Sequence, residues 1–239
     1  MFLRVLRYDV WQTAKPMLAA YAAALGFALL ARLDIFSLTD MPLVYLIFFG
    51  TIGILIYRYR RTMFGAEATL MFSTTLSACA HIYERVLSIF LFSALTIAVT
   101  AIALVIQGDT MGVMLLSLST YHAVLLYFEV AFSLLFLTIQ IAAILTLANL
   151  PRFRSMGGIS VILFACIVFG LIALLSSLTE PLIQSYLIVS STDGLYISDS
   201  YVHQSSVALS FNSLLWIVLS APLSIVLMIK ITQKKLLVV

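Results

Sequence analysis

Residues 86–106 read "VLSIFLFSALTIAVTAIALVI", a run without a charged residue, a proline or a glycine. About 20 helical residues cross the roughly 30 Å hydrocarbon core of a bilayer. The run meets that length and lacks the alternating pattern of a barrel strand. A backbone in hydrocarbon must satisfy its own hydrogen bonds, so the run is read as a transmembrane helix. Five more runs fit the same description, at about 16–33, 41–57, 121–147, 158–178 and 207–229.

Composition extends this reading to the whole chain. The 239 residues are 63% hydrophobic and 10% charged, against about 25% charged in soluble domains. Mean hydropathy is +1.16. The expected fold is all-α and integral to the membrane, with residues 1–239 forming one domain of six transmembrane helices. The first run has no obvious cleavage pattern and is read as a retained helix, not a secretory signal. Cys79 and Cys166 are expected to be free thiols, since one lies in a polar segment and the other inside an apolar run.

The fourth run needs a choice. Residues 110–147 are nearly all apolar, too long for one span and too short for two. One long helix, preceded by a short interfacial one, keeps Arg152 and Arg154 on the same side as the other basic residues. With both termini inside, every Lys and Arg except Arg32 lies at a cytoplasmic end, and Asp34, Asp40, Asp109, Glu180, Asp193 and Asp199 lie outside. That distribution obeys the positive-inside rule. Residues 1–15 mix Phe2, Leu3, Leu6 and Val10 with Arg4 and Arg7. They suit an interfacial helix along the inner headgroups, anchored by Tyr8 and Trp11, with Asp9 interrupting its apolar face.

Polar character concentrates in "RYRRTMFGAEATLMFSTT", residues 58–75. Arg58, Arg60 and Arg61 make a positive-inside stop. The connection they open runs to Val86, which is long for a helical hairpin. Gly65 is placed to break the preceding helix, Ala66 to Phe72 can form two helical turns, and Ser73, Thr74 and Thr75 are candidate caps for the next helix. Residues 62–78 are therefore expected to present a short cytosolic helix between two spans.

Two stretches carry a resemblance: "LRYDVWQTAKPMLAAYAAAL" (6–25) and "RTMFGAEATLMFSTTLS" (61–77). Together they resemble the membrane subunits of bacterial type-2 ABC exporters. In that family a short K/R-Y-D/E helix precedes the first span, and G-x-E-x-x-L-x-F-x-x-P follows the second. Gly65, Glu67, Leu70 and Phe72 match. Thr75 or Leu76 stands where the pattern has proline, and Arg85 stands where lysine often opens the third span. The resemblance implies that 62–78 is a coupling helix docking on a separate soluble ABC ATPase subunit, which binds ATP and Mg. It also implies a second permease copy or a paralogue, and a place in the bacterial cytoplasmic membrane. The chain itself has no G-x-x-x-x-G-K-[ST] phosphate loop, so no catalytic, cofactor or metal residues are assigned to it.

Two further patterns are candidates. Ala20, Ala24 and Ala28 form a small-residue face, suited to close packing inside one subunit or to a dimer seam. His122, Glu129, Ser133 and Gln140 share one face of the fourth helix, where Glu129, Ser133 and Gln140 are candidates for a polar translocation path. Thr179-Glu180-Pro181 resembles a helix start, with Leu182, Ile183, Tyr186 and Leu187 as its candidate buried face; the family resemblance implies short outer re-entrant helices in 179–206, and the alternative is a surface loop. Asp193-Gly194 reads as a turn.

The leading expectation is a transport subunit moving an amphipathic or hydrophobic substrate outward, such as a peptide antibiotic, a lipid or a drug. Its expected partners are the ATPase, a second permease and membrane lipid, not nucleic acid. The rivals are a channel or ligand-sensing membrane protein, and an intramembrane enzyme using His122 and Glu129, which stand about 10.5 Å apart along a helix.

Overall fold

The computed structural model describes residues 2–33, 40–65, 67–68, 77–108, 120–181, 186–190, 194–198 and 206–236. Its helices are α1 (Phe2–Arg32), α2 (Asp40–Met63), α3 (Ala78–Gln107), α4 (Thr120–Ala148), α5 (Gly158–Thr179) and α6 (Phe211–Leu236), with a 3-10 turn at Arg154–Met156. Five are long and apolar enough to cross a membrane, and α6 carries a shorter apolar stretch, Val218–Gln233. The architecture is that of a helical multi-pass membrane protein.

The helices alternate in direction. Asp9 near the start of α1 meets Arg58 near the end of α2 and Arg85 near the start of α3. Tyr59 reaches Thr146 at the end of α4 and Met228 late in α6. Ser160 at the start of α5 donates to the Ala148 carbonyl that closes α4. Basic helix ends therefore gather at one pole, and Arg32 ends α1 at the other. At that far pole Gly108 caps α3 with φ +79°, a conformation glycine adopts without the steric cost other residues meet.

Packing explains where the helices begin and end, and it corrects several expected boundaries. Residues 2–15 are continuous with the first span in α1 and do not form a separate helix. Val5, Asp9 and Thr13 lie on the same buried stripe as Met17, Tyr21, Ala24 and Ala28. Packing along that stripe carries α1 through Pro16 without a break. α2 continues past the expected end at 57 to Met63, and α3 starts at Ala78, ahead of 86. Arg58 and Arg85 were expected to lie outside the spans; they are buried in the bundle instead. The cap of α3 is Ser77, whose hydroxyl accepts from the Ala80 amide at 3.3 Å, not Ser73, Thr74 or Thr75, which lie outside the described residues. α4 is one long helix as expected, while the stretch before it, 109–119, is outside the described residues.

The core runs through α1, α2, α3, α4 and α6, with Met17, Leu55, Ile82, Ile139 and Met228 at its centre. Helices in lipid gain little from apolar burial against each other, so polar contacts between them matter. Tyr21 bonds the Thr96 hydroxyl at 2.7 Å, Thr51 bonds the same hydroxyl at 3.1 Å, and Tyr59 bonds Thr146 at 2.6 Å. α5 is peripheral, and Ser160 is its one buried residue. A clasp at the far pole ties it to α6: Thr179 donates to Asn212 Oδ1 at 2.5 Å, and Trp216 Nε1 donates to Thr179 at 2.7 Å.

The segment between α5 and α6 also differs from expectation. It forms a three-stranded antiparallel sheet, ordered β2-β1-β3, from β1 (Tyr186–Ser190), β2 (Gly194–Ser198) and β3 (Ser206–Ser210). Tyr186 and Leu187 are in a strand, not on a helix face; Leu182 and Ile183 lie outside the described residues. β3 also occupies the expected start of the last span at 207, so α6 begins at Phe211. Strand-favouring Ile188, Val189, Tyr196, Ile197 and Val207, set between serines and glycine, outweigh the helix start at Thr179. Among the described residues the fold is thus helical in its spans and β in this connection.

The sidedness has a direct check. With Cys79 and Cys166 replaced by serine, Ser155→Cys should react with an impermeant maleimide only after cells are opened, and Ser198→Cys should react in intact cells. Labelling of Ser155→Cys from outside would invert the assignment of the two poles.

Candidate functional site: a buried ion-pair knot

At the basic pole six charged side chains from α1, α2, α3 and the segment after α2 converge. Asp9 is on the buried stripe of α1 and is 2% exposed. Its Oδ1 pairs with Arg58 at 3.4 Å and also with Arg85. Arg58 turns its other terminal nitrogen to Glu67 Oε1, 3.2 Å away, and Arg61 Nε approaches the same oxygen at 2.7 Å. Glu84, fully buried, lies 3.3 Å from Arg85 Nε. That contact is electrostatic: neither Glu84 oxygen has a hydrogen-bond partner among the described residues. Asp9, Glu67 and Glu84 balance Arg58, Arg61 and Arg85 in formal charge.

Local backbone geometry builds the link to Glu67. α2 stops at Met63 and the chain folds back at once. The Gly65 amide bonds the Arg61 carbonyl at 3.2 Å, the Glu67 amide bonds the same oxygen at 3.4 Å, and the Ala68 amide bonds the Gly65 carbonyl at 3.0 Å. A Cβ on residue 65 would lie 2.8 Å from the Arg61 oxygen and 2.9 Å from its Cα. Those are backbone atoms, so no side chain can swing away to admit it. The expected helix break at Gly65 is therefore where the structure has it, and its tightness delivers Glu67 to the arginines. The partners of Glu67 come from α2, and it reaches α1 only through Arg58.

Beside the knot is a half-open cavity of about 10 Å³, lined by Asp9, Thr13, Arg58, Tyr59, Arg85 and Ser88 among others. That is room for about one water. Thr13 Oγ1 and Arg58 Nε are buried beside it without hydrogen-bond partners among the described residues. A space this small holds no substrate. The arrangement is mechanical: it fixes α1, α2, α3 and residue 67 to one another.

The other predicted residues are dispersed. Leu70 and Phe72 lie outside the described residues, as do the side chains of His122 and Glu129 on α4. Ser133 is half-buried. Gln140 is buried and donates to the Ser220 hydroxyl at 2.5 Å, joining α4 to α6. Ala24 and Ala28 pack against Leu43, Ile47 and Ala103 of this same chain, and Ala20 is half-buried. Ala24 and Ala28 thus serve close packing inside the subunit. Cys79 and Cys166 are both free thiols. Sequence reasoning missed Asp9, Glu84 and the inward turn of Arg58 and Arg85. The available signal was the spacing of Asp9 with Val5, Thr13 and Met17, which puts it on the packing face.

Comparison with protein-family models, with curated proteins and with solved structures returns no match.

Removing Asp9 should be costly, because it leaves two buried guanidiniums without their shared anion. Breaking a buried pair from one side costs about 3–5 kcal/mol. Asp9→Asn should therefore lower the thermal unfolding midpoint in detergent far more than Glu84→Gln, which removes a carboxylate with no hydrogen bond to lose. Equal shifts would show that the knot is not organised around Asp9.

Proposed function

We propose that the chain is the transmembrane subunit of an ATP-driven exporter in a bacterial cytoplasmic membrane. In this reading it moves an amphipathic or hydrophobic substrate outward and works with a soluble ABC ATPase subunit, which binds ATP and Mg, and with a second permease copy or paralogue. The observation that carries the reading is the link from Glu67 through Arg58 to Asp9 and Arg85. It ties the segment after α2 to α1 and α3, so a push on that segment moves three helices together. Gly65 and Glu67 match the coupling-helix pattern at the point where this link begins. The spans carry few charged side chains that would hold a strongly ionic substrate, which favours substrates entering from lipid.

The test is a tagged chain purified in mild detergent from its native membrane. The wild type should bring down an ATP-hydrolysing soluble subunit and a second permease. Glu67→Arg places a like charge beside Arg58 and Arg61, so it should insert normally yet lose the ATPase or uncouple hydrolysis from transport. Retention of the ATPase with unchanged coupled transport would refute the role of this segment. Recovery of the wild-type chain with no ATPase would refute the function.

A further inference from the structure

The knot sets three helices at one level, and each carries an exposed aromatic ring within two residues of it. Trp11 of α1 is two residues from Asp9 and 65% exposed. Tyr57 of α2 adjoins Arg58 and Tyr83 of α3 is two residues from Arg85; they are 60% and 57% exposed. Two residues along a helix are about 3 Å, so the three rings form a collar at the level of the knot. Tyrosine and tryptophan favour the membrane–water boundary.

Helix lengths agree with a boundary there. From Asp9 to Arg32 on α1 is about 35 Å, from Arg85 to Gln107 on α3 about 33 Å, and from Arg58 to Asp40 on α2 about 27 Å. The first two bracket the roughly 30 Å hydrocarbon core, and the third falls about 3 Å short of it. The first turns of α1 then stand at and beyond headgroup level, and their outer face is specific in charge. Arg4, Arg7, Tyr8, Trp11 and Lys15 are all exposed. Their spacing places them within roughly 100° of arc on the helix. The one acidic residue of α1, Asp9, is buried on the opposite side and already paired.

We propose that this stripe is a binding surface for anionic phospholipid headgroups of the adjoining leaflet. Arg4 and Arg7 take the phosphates directly, and Lys15, about 9 Å to the membrane side of Asp9, reaches back to them with its long side chain, while Trp11 and Tyr8 sit at the boundary. Charge complementarity selects anionic lipid: the face is cationic throughout, because its helix keeps its carboxylate inside the bundle. The surface shares no residue with the coupling segment, and its binding of lipid needs no ATPase.

The chain has two tryptophans, so Trp216→Phe leaves Trp11 as the reporter in the full-length protein. That protein is placed, without any ATPase, in nanodiscs of zwitterionic lipid doped with a brominated lipid, either phosphatidylglycerol or phosphatidylcholine at equal fraction. Trp11 should be quenched more strongly by the brominated phosphatidylglycerol, and the excess should shrink in 1 M salt, where the screening length is about 3 Å. Each basic residue near an anionic surface strengthens attraction on the order of fivefold. Replacing Arg4, Arg7 and Lys15 with glutamine should therefore abolish the excess. Equal quenching by the two lipids would overturn the proposal. Quenching by neither would also overturn it and leave the stripe for a protein partner. Should the triple variant fail to reconstitute, the two-lipid comparison on the Trp216→Phe protein decides alone.

Discussion

Asp9 holds two guanidiniums from two other helices, and the basic pole is organised around that sharing. A carboxylate in a bundle of this composition pays a heavy desolvation cost unless several donors surround it. Arg58 and Arg85 supply them, and they are themselves compensated by Glu67 and Glu84. This accounts for features that look unrelated along the chain. α1 runs unbroken through Pro16 because Asp9 and Thr13 belong to its packing stripe. α2 and α3 run beyond their apolar stretches because Arg58 and Arg85 point inward. The turn at Gly65 is tight because Glu67 must come back to α2.

Elsewhere the bundle is joined by neutral hydroxyl and amide contacts. Tyr21, Thr51 and Thr96 link α1, α2 and α3; Tyr59 and Thr146 link α2 and α4; Gln140 and Ser220 link α4 and α6. Each such bond between membrane helices is worth about 1 kcal/mol. They are single contacts, each between side chains of limited reach, unlike the six-charge knot. α5 is the exception, with little buried surface and its firmest attachment at the far pole through Thr179, Asn212 and Trp216. The structure therefore has a rigid charged pole on α1, α2 and α3, and a neutral clasp at the opposite pole on α5 and α6.

Much of the helical framework was legible in the sequence, because a span needs a run of apolar residues and such a run has few other uses. The single fourth helix followed from the position of Arg152 and Arg154, and the break at Gly65 from the residue itself. Helix ends were less legible. Arg58 and Arg85 read as stops because charge normally ends a span, and only the fold shows that their charge is matched across helices. Asp9 read as a flaw in an amphipathic face for the same reason, since Arg58 is 49 positions away. The alanine stripe announced close packing but not whether the partner helix was its own. The sheet at 186–210 was legible and missed: "YLIVS", "GLYIS" and "SVALS" are short β-favouring runs between turn residues, and a stronger local helix signal at Thr179 obscured them.

The charges contribute register more than stability. Apolar side chains of similar volume can replace a buried ion pair at little or no loss of stability. In lipid the apolar faces of α1, α2 and α3 tolerate sliding, since tails and side chains are equally oily. A slide of α1 by one turn moves Asp9 by about 5.4 Å. That displacement takes its carboxylate beyond contact with both guanidiniums at once, whereas Val5, Met17 and Ala24 would each find another apolar neighbour. The penalty for misregister is therefore concentrated in one residue. The same concentration makes the joint stiff to any force arriving through Glu67: the segment after α2 cannot shift far without drawing Arg58, and Arg58 cannot shift far without Asp9.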